Sequence, residues 1–243
     1  MRVTDGKTSG AAGKNTQKSG KDTPSWEAGP LFESAMVLAV KHHKFQARKR
    51  DREPYLGHLL SVAGNVIEAG GSETQTAAAL LHDINEDCHV EFEVIASAVS
   101  PEVADIVRKC SEPEDAPGTD RTLTWGSRKR TALEHLAASD PSDPSLLVKL
   151  ADKTNNCEKT ARDLERWLRT NPTAAGFWEE FNAGDSCQHW WYTGLLEAFR
   201  GKFDGTLGET LFLRFERAVD DLFGGREIFP CDVSHGHGTE APQ

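Results

Sequence analysis

Four residues have the types and order needed to hold one divalent metal ion: His58, the doublet His82-Asp83, and Asp152. Two imidazoles and two carboxylates make a mixed nitrogen and oxygen donor set, suited to borderline or hard ions such as Mn²⁺, Zn²⁺, Fe²⁺ or Mg²⁺. The set contains no thiolate, which argues against a soft site. Four protein ligands leave positions on an octahedral ion for water and substrate oxygens. Such an ion lowers the pKa of water and polarises a phosphoryl group. Glu86 and Asp87 follow the doublet, where they could position or deprotonate that water. The chemistry is metal-assisted hydrolysis of a phosphate compound. A His-Asp dipeptide alone is a common accident. The weight comes from a second His and a later Asp, each on its own helical segment.

The elements that must position these groups read as helix after helix. Phe32, Ala35, Met36, Ala39 and Val40 recur at helical spacing, as do Leu59, Val62, Ala63, Val66 and Ile67, a run ended by Gly70-Gly71. Ser72 with Gln75 is a capping-box pattern. It opens a helix with its apolar face at Ala77, Leu80, Leu81 and Ile84. If that helix runs to Asp87, the pairs His82/Glu86 and Asp83/Asp87 share a face away from the core. Pro101 suits the first turn of a helix carrying Val103, Ile106 and Val107. Ser111–Gly126 is the main loop, with four acids, two prolines and two glycines. Further helices are expected over 128–138, 146–168 and 209–222, with an aromatic region around Phe177, Trp178, Phe181, Trp190 and Trp191. No run of strands and no repeat is found. The fold class is all-α, with one domain over 30–229. The polar arms 1–29 and 230–243 are expected to be disordered.

Bulk properties narrow the partners. The chain has 243 residues and a net charge of −10, so it is a poor candidate for nucleic-acid binding. Against that trend, Lys41–Arg52 holds six Lys or Arg and one acid. This suits a small polyanion, although charge runs are more often solvated surface. No stretch approaches the roughly 18 apolar residues of a membrane span. Five cysteines without a CxxC pair speak against a disulfide framework and for free thiols in a reducing cytoplasm.

Four segments together resemble a known family. His43-Lys44-Phe45-Gln46-Ala47-Arg48-Lys49 is similar to an HxxQxRK opening. Pro54-Tyr55-Leu56-Gly57-His58 is similar to PYxxH. Ala78–Asp87 matches AALLHDxxED, and Leu147–Asn156 matches LVKLADKxxN. In order and spacing they resemble the HD-domain phosphohydrolases, and among them the hydrolase half of RelA/SpoT-type alarmone enzymes. The resemblance implies an HD-domain helical bundle with one metal, usually Mn²⁺, on His58, His82, Asp83 and Asp152. It implies that Glu86 and Asp87 act on the water, and that Arg48 and Lys49 contact substrate phosphates. Asn156 would lie near the metal-bound phosphate or the sugar. Tyr55 could stack on a base or simply be a half-buried tyrosine at a helix entrance. The implied activity removes the 3′-pyrophosphate of guanosine tetra- or pentaphosphate, releasing GDP or GTP. The alternatives are another nucleotide (ppApp, NADPH or a nucleoside phosphate) or a non-catalytic nucleotide-binding module. With no room after Leu222 for a second catalytic domain, a stand-alone small alarmone hydrolase is expected, cytoplasmic and a monomer or weak homodimer.

Overall fold

The computed structural model describes residues 26–48, 52–112, 119, 123–181 and 183–225. Lys49 and Arg50, most of the acidic stretch 112–120, most of the arm 1–29 and all of the arm 230–243 lie outside the described residues. The elements, in order, are α1 (Pro30–His43), α2 (Leu56–Glu68), α3 (Glu73–Leu81), α4 (Ile84–Cys88), α5 (Phe92–Ala98), α6 (Pro101–Cys110), α7 (Trp125–Ala138), α8 (Ser145–Leu168), α9 (Ala175–Trp178), α10 (Asp185–Phe199) and α11 (Gly208–Phe223). Among the described residues there is no strand beyond an isolated bridge between Ala47 and Pro54. The fold is all-α, and none of these helices is long and apolar enough to cross a membrane.

The centre is α3. Its start is fixed by the expected capping box, with Gln75 N–H donating to Ser72 Oγ and Ser72 N–H donating to Gln75 Oε1. Gln75 Nε2 also donates to Pro144 O, tying the entrance of α3 to that of α8. Ala77, Ala78, Ala79, Leu80 and Leu81 are all buried, so this helix is apolar all round rather than on one stripe. Three consecutive alanines keep its radius small, and α1, α2, α6 and α8 pack around it. Gly70, at φ +73°, ends α2 in the left-handed conformation that glycine adopts without strain. Leu81→Ala would leave a void on this crowded element. We expect it to cost about 2–5 kcal/mol, read as a lower denaturation midpoint at unchanged slope.

The second half packs through aromatic rings. Phe177, Trp178, Tyr192, Phe215 and Phe223 are buried and in mutual ring contact. Trp178 and Trp191 are core residues, whereas Trp190 is half-buried. The cluster includes a full helix, α10, that apolar periodicity did not reveal. Asp185–Phe199 is rich in Trp, Tyr, Thr, Cys and Gly, all weak helix formers, so tertiary packing decides its state. Gly194 serves this packing, because a Cβ there would meet Leu133 Cδ1 of α7 at 2.6 Å. The expectation of free thiols holds for Cys88, Cys110 and Cys157 but not for Cys187, which is disulfide-bonded. Spacing along the chain, on which that expectation stood, does not report proximity in space.

Candidate metal centre

His82 and Asp83 lie on a helix break rather than inside a helix. α3 ends at Leu81, α4 starts at Ile84, and the doublet forms the turn between them. The expectation that both pairs point away from the core is therefore corrected. His82 is buried, Asp83 is 22% exposed, and only Glu86 and Asp87 face outward. The break turns the ligand pair inward toward α2 and α8, which supply the other two groups.

Four atoms converge there. His82 Nε2 lies 2.9 Å from Asp83 Oδ2 and 3.5 Å from Asp152 Oδ1. His58 Nε2 lies 3.3 Å from His82 Nε2, 3.3 Å from Asp152 Oδ1 and 3.5 Å from Asp83 Oδ2. His58, His82 and Asp83 are close enough to share an ion, with Asp152 beside them. The outer nitrogens fix the tautomers. His82 Nδ1 is 2.7 Å from Ala79 O, and a carbonyl only accepts, so the proton sits on Nδ1 and the Nε2 lone pair faces the cluster. His58 Nδ1 pairs with Asn155 Oδ1 at 2.8 Å with the same effect. Two lone pairs and two carboxylates aimed at one point fit a divalent cation.

Without an ion the cluster holds protons instead. Burial disfavours charge on His58 and His82, but Asp83 and Asp152 outweigh it and hold both imidazoles above their ordinary pKa. Burial likewise opposes the two carboxylates. The imidazoles at Asp83, and Lys153 with the imidazoles at Asp152, hold both acids well below the usual range. A metal ion must therefore expel protons from the imidazoles. Affinity is expected to rise with pH through and above the ordinary imidazole range, with about one to two protons released per ion. Calorimetry in buffers of different ionisation enthalpy reads that number, and zero release would contradict the arrangement.

A second set of bonds holds the ligands. Tyr55 donates its hydroxyl to Asp83 Oδ2 at 2.6 Å and stacks on buried His43. Asn156 Nδ2 donates to Asp152 Oδ1 at 2.6 Å, and Lys153 Nζ to Asp152 Oδ2 at 2.7 Å. Arg48 Nη2 donates to Asn156 Oδ1 at 2.7 Å, which brings it to the site from the loop between α1 and α2. That loop closes on itself through Arg48 N–H to Glu53 O and Tyr55 N–H to Gln46 O. Gln46 links His43 to Asp87, accepting or donating at 2.5 and 2.7 Å. Glu86 Oε1 accepts from the Glu112 N–H at 2.7 Å. Although Glu86 is open to solvent on one side, crowding by protein raises its carboxyl above the ordinary value, with Asp83's charge adding to the effect.

His82, Asp83 and Asp152 floor a cavity of about 280 Å³ whose walls include Tyr55, Glu86, Trp125, Arg128, Lys129, Lys149, Lys153 and Asn156. Sequence reasoning gave no role to Arg128, Lys129, Lys149, Lys153, Asn155 or Glu112. The signal for Lys149, Lys153 and Asn155 was present, since they sit one helical turn from Asp152 or beside it. Nothing local marked Glu112.

A family model described as HD domain matches residues 35–172. The chain is 34% identical over 180 residues to the guanosine-3′,5′-bis(diphosphate) 3′-pyrophosphohydrolase MESH1 of Xenopus tropicalis, covering 73% of this chain and 88% of that one. It is 35% identical over 144 residues to the Homo sapiens protein of the same name, covering 58% of this chain and 72% of that one. The fold is similar, at TM-score 0.57 and 28% identity, to a solved metazoan orthologue of SpoT described as hydrolysing ppGpp; 79% of this chain and 97% of that chain superpose. The chain belongs to the HD-domain family and, within it, to the group of the MESH1 proteins.

Proposed function

We propose that this protein hydrolyses the 3′-pyrophosphate of guanosine tetra- and pentaphosphate, giving pyrophosphate and GDP or GTP. The observation that carries the reading is the convergence of two imidazole Nε2 atoms and two carboxylates at the floor of a cation-walled cavity. On a chain of net charge −10, a pocket walled by Arg128, Lys129, Lys149 and Lys153 is built for an anion of high charge. The kinship with MESH1 proteins supports guanosine 3′,5′-bis(diphosphate) as that anion.

His58, His82, Asp83 and Asp152 hold the ion, which we take to be Mn²⁺ as the family resemblance implies, a choice the mixed, thiolate-free donor set allows but does not single out from Zn²⁺, Fe²⁺ or Mg²⁺. When bound, that ion supplies Lewis acidity, polarising the phosphoryl group and making water more acidic. Tyr55, Asn155 and Asn156 keep three ligands in register, which second-sphere partners do at a cost of about 10–100-fold in metal affinity when removed. Tyr55, with its hydroxyl committed to Asp83, offers only its ring to a base. Arg48, anchored on Asn156, contacts the phosphates, together with Lys49. Glu86 takes the proton of the attacking water and is protonated readily enough to return one to the departing 3′ oxygen. Asp87, held by Gln46 outside the cavity wall, acts on that water indirectly, by supporting the position of its neighbour Glu86. A nucleotide substrate of this kind puts the enzyme in the cytoplasm.

The test is product analysis with ppGpp and the Mn²⁺-loaded protein. Stoichiometric pyrophosphate and GDP are expected, with no orthophosphate and no product after chelation. Intact ppGpp, or orthophosphate as the product, would overturn the assignment.

A further inference from the structure

Glu112 does not sit like a surface acid. Its carboxylate is gripped by the Arg128 guanidinium and the Lys129 ammonium, both projecting from the first turn of α7 into the cavity. All three side chains are largely enclosed, at 17% exposure for Glu112, 10% for Arg128 and 17% for Lys129. Lys129 also lies over the Trp191 ring, 4.6 Å from its centroid, so its ammonium is held on two sides. Burial pushes Lys129 down, while Lys129 and Arg128 together hold the Glu112 carboxyl at about 2 against its own burial. Glu112 is thus an anion at every physiological pH, lodged in the same cavity as the metal ligands.

We propose that Arg128 and Lys129 form a phosphoryl-binding subsite facing the metal centre, and that Glu112 is its internal occupant, displaced when a phosphorylated ligand enters. The subsite stands on geometry alone; only the identity of its natural ligand rests on the function proposed above.

The physical case is one of exchange. Two cations with so little solvent around them favour an anion between them. The Glu112 carboxylate meets that need in the resting protein. A phosphoryl group carries more charge and three oxygens, and it matches a guanidinium fork bidentately. It therefore replaces the carboxylate without ever leaving the cations bare. A neutral or singly charged ligand gains nothing by the exchange, so Glu112 acts as a filter for highly charged substrates.

Inorganic pyrophosphate titrated calorimetrically into full-length, metal-free protein tests this without turnover. Glu112→Gln removes the competing charge but keeps the side chain's size, and should tighten pyrophosphate binding about tenfold, whereas Arg128→Gln should weaken it about tenfold or more. Pyrophosphate should also raise the melting temperature of E112Q more than that of the wild type, because it restores the missing anion. Unchanged or weaker binding to folded E112Q overturns the proposal, and so does unchanged binding to R128Q. If E112Q does not fold, Arg128→Gln and Lys129→Gln carry the decision. With metal and a turned-over substrate, E112Q should lower KM, because no carboxylate competes for the two cations. A fall in kcat at unchanged KM would make Glu112 a support for Glu86 instead and sink the idea. Failure of ppGpp hydrolysis by the wild type would remove the proposed function and leave the pyrophosphate result standing.

Discussion

Replacing His82 by alanine is expected to abolish metal retention and lower turnover by at least about 10³-fold. The residue is central in three ways. Its Nε2 is within 3.5 Å of Asp83, His58 and Asp152, so its removal leaves the remaining donors without their middle member. Its Nδ1 is tied to Ala79 O on the last turn of α3, which fixes the tautomer and aims Nε2 at the cluster. Its loss also leaves two buried carboxylates with less compensating positive charge in the metal-free protein. A general collapse would give the same activity loss, so three measurements are needed together: metal stoichiometry, turnover and thermal unfolding. The expected pattern is a cooperative melt with no bound metal and no turnover. One equivalent of retained metal with turnover near the wild type would remove His82 from the ligand set.

What could be read ahead of the structure follows from where the information lies. The long helix α8 and the start of α3 were legible because a repeating apolar face and a capping box are local codes. Asp152 was legible as a residue near the core because it follows an apolar run, whereas the His82-Asp83 pair was read as facing away from the core. Whether four such residues meet depends on the packing of α2 and α8 against α3, which no local spacing encodes. The helix break at His82-Asp83 was illegible for a related reason. Leu81, His82, Asp83 and Ile84 carry no glycine or proline, and the break is imposed by burial of His82 and the bond from Nδ1 to Ala79 O. Tyr55 shows the same limit: its sequence position allowed a stacking role, and only the fold brings its hydroxyl to Asp83 across 28 residues. Glu112 lay in a stretch whose composition announced only a loop.

The inward turn of the doublet leaves Glu86 as the outward-facing acid on the cavity wall, its carboxyl held above the ordinary glutamate value, and its replacement is the sharper test of mechanism. Glu86→Gln keeps the size of the side chain and an oxygen to accept the Glu112 N–H, but it cannot take a proton. The metal ligands are untouched, so bound metal should stay at one equivalent and KM should change little. The chemical step should slow by about 10²–10⁴-fold, the usual contribution of a positioned acid or base. The pH profile gives a second reading. Burial and Asp83 hold the Glu86 carboxyl above the ordinary glutamate value, and the base must be ionised to act. In metal-saturated wild type, kcat should therefore fall on acidification at a higher pH than a free carboxylate would give, and that limb should vanish in E86Q. Asp87→Asn separates the neighbours. Asp87 bonds to Gln46 and lies outside the set of residues that wall the cavity, so its loss should act through orientation and leave the acid limb in place. An E86Q protein that keeps its metal and wild-type kcat would transfer the proton-handling role elsewhere. The candidate would then be Lys153, whose ammonium is held charged by Asp152 and would serve as an acid rather than a base.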